Sequence, residues 1–139
     1  MSHPDPDLIA LGIRQPWAEL IMQGVKTIEV RTVPIAIRGC IYVYASRQPS
    51  DIPAAQQAIR QHELDLAALP TVRVIGTVEI LDCRRCTPAD EEASLVPADQ
   101  LKDRFAWVMG NAQRLPESLP PAFRPFGIWF YPFKRKSDG

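Results

Sequence analysis

The spacing of hydrophobic residues changes several times along the chain, and each change marks an element. Ile9, Leu11 and Ile13 recur at every second position within the apolar run Leu8 to Ile13, the pattern of a largely buried strand. In "RQPWAELIMQG" the spacing widens. Trp17, Leu20 and Ile21 share one face of a short helix, Pro16 stands in its first turn, and Gly24 sits where a left-handed closing residue belongs. "KTIEVRT" alternates again, with Ile28 and Val30 on one side and Thr27, Glu29 and Arg31 on the other, so a strand with one polar face is expected. "GCIYVYAS" predicts a third strand, rich in β-branched and aromatic residues.

Ser50, Asp51 and Pro53 look like the start of a second helix. Ala55, Ala58, Ile59, His62, Leu66 and Leu69 keep helical spacing down to the stop at Pro70. His62 falls on the apolar side, where a core-edge histidine is the ordinary reading. Val72 to Cys83 is a long strand, and Gly76 inside it signals a bulge or a close backbone approach. "TPADEE" opens a short acidic helix, with Thr87 as its cap, Pro88 at the first helical position and Asp90 three residues after the cap. "FAWVMGNAQRL" and "FGIWFYPF" add two strands, joined by a proline-rich connection from Pro116 to Pro125. Six short strands without βαβ alternation predict an α+β fold built on a small β-barrel, with two or three helices against it.

With 139 residues the chain is the size of one domain. Residues 1–7 are read as a disordered N-terminal end, 8–133 as the domain and 134–139 as a basic C-terminal tail. No apolar run reaches the roughly 20 residues that cross a bilayer. The start, "MSHPDPDLIA", lacks the basic and apolar regions of a secretory signal, so a cytoplasmic protein with no membrane partner is expected. Sixteen Lys and Arg balance sixteen Asp and Glu, which removes any whole-molecule attraction for nucleic acid; a nucleic-acid site must be local. Cys40, Cys83 and Cys86 cannot all pair. "CRRC" could be half a zinc site, but only Cys40, His3 and His62 could complete it, so neither metal nor cofactor is expected and the thiols are read as free. No G-x-S-x-G, phosphate loop or H-E-x-x-H occurs.

The candidate chemistry lies in "GVKTIEVRT", Gly24 to Thr32, which places Lys26, Glu29 and Arg31 within six residues. Two readings stand. The charges could be a solvated edge strand that discourages aggregation, or they could line a pocket. Lys26 lies in the turn after the helix, so its side chain can bend toward Glu29. A carboxylate held between a lysine and an arginine stays ionised and orients both cations. Gln15 and Trp17 stand close by in sequence, an amide and an indole of the kind that recognise bases by hydrogen bonding and stacking. The candidate ligand-binding residues are therefore Gln15, Trp17, Lys26, Glu29 and Arg31, with Ser46 and Arg47 at the rim. Lys26 and Glu29 would be catalytic only if the protein is an enzyme.

"IRQPWAELIMQGVKTIEVRT" resembles the signature of the ASCH domain, the activating-signal-cointegrator homology domain of the PUA-like superfamily, whose hallmark is G-x-K-x-x-E-x-R. Gly24, Lys26, Glu29 and Arg31 match each specified position. The resemblance continues through "RGCIYVYAS", "VIGTVEILDC", "FAWVM" and "GIWFY". It implies a PUA-like β-barrel of about six strands, flanked by helices, with a motif-lined cleft for RNA, single-stranded nucleic acid or a nucleotide-like small molecule. The family is mixed in function. Some bacterial members are reported as ribonucleases, and one branch hydrolyses the amide of acetylated cytidine with a lysine, a threonine and a glutamate. Lys26 matches that lysine, but Glu29 stands where the threonine would be, and only Glu91 or Glu92 lies near the glutamate's place. A nucleic-acid binding module is thus the first expectation, and a hydrolase of a modified nucleoside or of RNA the alternative. Beside Glu29, Lys26 is expected to have a raised pKa, which makes it a poor general base.

Overall fold

A computed structural model describes residues 2–125 and 127–134. Six strands are present: β1 (Ala10–Ile13), β2 (Ile28–Arg31), β3 (Gly39–Ala45), β4 (Arg73–Arg85), β5 (Phe105–Leu119) and β6 (Trp129–Phe130). Three α-helices accompany them: α1 (Trp17–Met22), α2 (Pro53–Gln61) and α3 (Glu91–Ser94). The strands form one sheet in the order β2-β5-β4-β3-β1-β6, giving the expected α+β architecture. Only β1 and β3 are parallel, which suits the long crossover through α1 and β2 that joins them.

Bulges curl the sheet into a half-barrel. The β4–β5 ladder shifts register at three places and the β3–β4 ladder at one; each extra residue bends its strand and adds twist. Gly76 lies at two of these shifts, and the sequence reading of a bulge or a close approach is met on both counts. A Cβ there would strike the Met22 sulfur and come within 2.5 Å of the Gln113 carbonyl oxygen. Beyond the β2 edge the sheet is bridged to β1. The Arg31 Nη2 donates to the Gly12 carbonyl at 3.4 Å, and the Gly12 amide donates to the Ile128 carbonyl at 2.7 Å.

Alternation in β3 divides the interior into two clusters. Ile41, Val43 and Ala45 join Leu11, Trp17, Leu20, Ile21 and Trp107 in the larger one. Tyr42 and Tyr44 join Ala10, Val74, Leu115 and Phe130 in the smaller. All six residues of α1 are buried, including Glu19, whose carboxylate takes two bonds from Arg114 (2.8 and 2.9 Å) and one from Gln23 (2.8 Å). Gly24, with φ of +76°, closes the helix as its sequence position predicts.

Three expectations change. The second helix does not reach Pro70. It ends at Gln61 in a Schellman closure, with Leu64 N bonded to the Ile59 carbonyl, Glu63 N to the Arg60 carbonyl, and Glu63 at φ +52°. Leu66 then sits in a separate 3-10 turn, Leu66–Ala68, so its helical spacing from α2 is not one helix. β5 runs through Pro116 to Leu119 instead of stopping before it. β2 pairs with β5 only over Phe105–Val108, so Pro116 has a free flank on that side and its missing N–H costs no second ladder. Residues 2–7, read as a disordered end, lie against β3 in this structure. His3 Nδ1 is 2.7 Å from the Tyr42 hydroxyl, which also accepts from the Asp5 amide at 2.7 Å. Of the tail expected at 134–139, only Lys134 falls among the described residues, and Phe126 of the last predicted strand lies outside them. No described helix is long and apolar enough to cross a membrane.

Candidate functional site

The turn at Gly24 delivers Lys26 inward. Both Val25 N and Lys26 N donate to the Leu20 carbonyl, at 3.0 and 3.1 Å, folding the chain back under α1. Lys26 is only 2% exposed. Its ammonium donates to the Ser94 carbonyl at 2.6 Å, stands 3.7 Å from Glu29 Oε1 and lies 4.7 Å from the Trp17 ring centroid. The sequence reading expected Glu29 to raise the Lys26 pKa. The direction is the opposite: loss of hydration on burial pulls it below the usual lysine value, and Glu29 offsets only part of that.

The Ser94 carbonyl is held in place by a clamp further along the chain. Arg84 makes a bidentate pair with Asp90, both contacts at 2.8 Å, and Thr87 N donates to the same carboxylate at 2.8 Å. The Thr87–Pro88–Asp90 cap expected from sequence is the one observed. Arg84 also holds the Asp90 carboxyl below the usual range. The clamp fixes the start of α3, whose Ala93 carbonyl takes Thr27 N at 2.9 Å and whose Ser94 carbonyl takes Lys26.

Glu29 joins the two cations. Its Oε2 accepts from Arg31 Nη2 at 3.0 Å, while Oε1 faces Lys26. β2 is an edge strand by pairing, yet the charges at its start are not solvated: Glu29 is 6% exposed. The reason is register. Glu29 stands opposite Trp107 on β5, and cross-strand partners share a face. The polar face of β2 therefore turns toward the core tryptophan, and the Arg31 guanidinium rests 5.4 Å from the Trp107 ring centroid.

These residues border two hollows. Trp17, Lys26 and Glu29 line one of about 380 Å³, together with Gln100, Lys102 and Arg104. Ser46 and Arg47, placed by sequence at the rim of the same site, line another of about 780 Å³ with Gly12, Tyr44 and Arg124. Arg31 lies between the two, since its acceptors Glu29 and Gly12 line one hollow each. Gln15 lines neither. It is fully buried, its amide nitrogen donating to the Pro70 carbonyl at 3.0 Å and its amide oxygen accepting from Glu19 N at 2.9 Å. Glu91 accepts from Ala98 N at 2.8 Å, and neither it nor Glu92 lines either hollow. Lys102, Arg104 and Arg124 are single charges in irregular segments, and no local pattern in the sequence marks them. The three cysteines are free and half-buried, and no described cluster of three or more His, Cys, Asp or Glu could hold a metal.

Residues 11–117 match the ASCH domain. Among curated proteins the chain is 23% identical over 126 residues to activating signal cointegrator 1 of Homo sapiens and to that of Mus musculus. Each alignment covers 86% of this chain and 21% of the relative, so the chain spans about a fifth of the length of those proteins. Among solved structures, the ASCH protein of Zymomonas mobilis superposes with a TM-score of 0.60 at 15% identity, covering 91% of this chain and 88% of that one. A match over most of the chain, carried on the half-barrel just described, places the protein in the ASCH domain family.

Proposed function

We propose that the protein is a binding module for single-stranded nucleic acid, RNA above all, and that the hollow beside Lys26 and Glu29 receives one nucleotide unit. The observation that carries this reading is the ionised chain Lys26–Glu29–Arg31 set against a cavity rather than against bulk water. Glu29, fixed by a cation on either side, presents a carboxylate edge that can accept N–H groups of an unpaired base. Trp17 contributes an aromatic wall, and the exposed Lys102 and Arg104 stand where phosphate oxygens would pass. A local site of this kind is what a chain without net charge requires.

Hydrolysis of an acylated nucleoside is the weaker reading. Lys26 spends its ammonium on the Ser94 carbonyl and on Glu29, and no hydroxyl stands in the threonine's place.

The test is oligonucleotide binding followed by fluorescence anisotropy across a range of salt concentrations. Wild-type protein is expected to bind single strands with an affinity that falls as salt rises. Lys102→Ala with Arg104→Ala is expected to lower that affinity several-fold without changing the fold, because both side chains are exposed. Absence of salt-dependent binding to any RNA or DNA strand would overturn the reading.

A further inference from the structure

The larger hollow has the composition of a second anion site. Among its lining residues are two guanidinium groups, Arg47 and Arg124, and no carboxylate. Both arginines are exposed, and neither enters an ion pair or side-chain hydrogen bond among the described residues. Tyr44 and Ser46 add hydroxyls, while Ile128 and three prolines, Pro120, Pro121 and Pro125, form an apolar wall. At about 780 Å³ the space falls within the roughly 300–1,000 Å³ of small-molecule pockets.

Two backbone features point the same way. Val72, which lines this hollow, adopts φ of +57°, a conformation that a β-branched residue resists. It is pinned there by a 2.6 Å bond from its amide to the Ala45 carbonyl. Such strain persists only where surrounding structure imposes it, and it gathers at ligand sites. Second, the two hollows share one connection: a single nitrogen of Arg31 contacts Glu29 in the wall of the smaller and the Gly12 carbonyl in the wall of the larger.

We infer that the larger hollow is the subsite for the neighbouring nucleotide unit of the same strand, with Arg47 and Arg124 gripping its phosphate and the proline wall covering its sugar or base. The inference rests on the nucleic-acid reading above and adds to it a ligand of at least two linked nucleotides, running past Arg31 from one hollow to the other. Guanidinium groups suit the task because their paired N–H groups match two phosphate oxygens at once.

The experiment compares a mononucleotide, adenosine monophosphate by calorimetry, with a fluorescein-labelled RNA tetranucleotide by anisotropy. Wild-type protein is expected to bind the tetranucleotide at least ten-fold more tightly. Arg47→Ala with Arg124→Ala is expected to abolish that preference, leave mononucleotide affinity unchanged and reduce the slope of log K against log salt by about 1.4, at roughly 0.7 for each phosphate contact on a single strand. Circular dichroism melting should be unaltered, since both side chains are exposed. If the double variant keeps the wild-type tetranucleotide affinity and salt slope, or loses affinity equally for both ligands, the second subsite is wrong while the first stands. If wild-type protein binds neither, both proposals fall.

Discussion

Replacing Glu29 with glutamine keeps the shape of the side chain and removes one charge from a chain of three. Lys26 is 2% exposed, and Glu29 is the carboxylate that faces it. Breaking a buried ion pair by deleting one partner costs about 3–5 kcal/mol, because the survivor keeps its desolvation penalty without its counter-charge. Two features move this case to the lower end. The Ser94 carbonyl at 2.6 Å and the Trp17 ring still serve the ammonium, and Arg31, with a quarter of its side chain exposed, can recover water. A loss of about 3 kcal/mol is expected, or roughly 10 °C in Tm for a domain of this size. Urea unfolding followed by tryptophan fluorescence reads it, since Trp17 and Trp107 flank the ion chain. Lys26→Met completes a double-mutant cycle. With both charges gone nothing ionised is stranded beside Ser94, so the double variant should be more stable than the sum of the single losses by at least about 1.5 kcal/mol. A Glu29→Gln protein within about 0.5 kcal/mol of wild type, or strictly additive losses, would refute the reasoning.

The depressed Lys26 pKa gives a pH signature of its own. Between that lowered value and the ordinary lysine value of about 10.4, the unfolded chain binds more protons than the folded one, so stability rises with pH through that window. Denaturant midpoints measured from neutral to alkaline pH should show the rise in wild type and lose it in Lys26→Met. Asp90 behaves in the opposite sense to an unpaired carboxylate on acidification: its depressed pKa contributes stability above about 3.9 that disappears as pH falls through the folded value. Asp90→Asn should cost about 1 kcal/mol at neutral pH and flatten the acid end of the stability profile. Gly76→Ala should cost about 2 kcal/mol or more, because the added methyl meets the Gln113 carbonyl of the paired strand, which cannot move freely; a thermal melt measures it. Gln15→Leu should destabilise by about 2 kcal/mol by orphaning the Pro70 carbonyl and Glu19 amide, while the folded protein keeps its oligonucleotide affinity.

Local order was legible wherever one short-range rule governed it. Alternation at Ile41–Ala45 placed β3 and divided its side chains between two clusters. The Thr87–Pro88–Asp90 cap and the Gly24 closure are matters of a few adjacent residues, and both were readable in advance. The helix thought to reach Pro70 misled because helical spacing is a periodic test that does not sense a chain reversal; Glu63 turning left-handed ended it. The G-x-K-x-x-E-x-R spacing named the family and the three ionised groups, since those groups lie close in the chain.

What sequence left open was every relation set by the sheet's curl. That Glu29 and Arg31 face Trp107, and not solvent, follows from β2–β5 register across almost eighty residues of chain. That Ser46 and Arg47 belong to a different hollow from Lys26, that Arg124 joins them, and that Lys102 and Arg104 stand beside Trp17 depends on how far the bulged ladders roll. Even the sign of the Lys26 pKa shift was decided there. Its partner could be read from the motif three residues away, but the depth of burial that outweighs that partner exists only when α1, α3 and the half-barrel close around it.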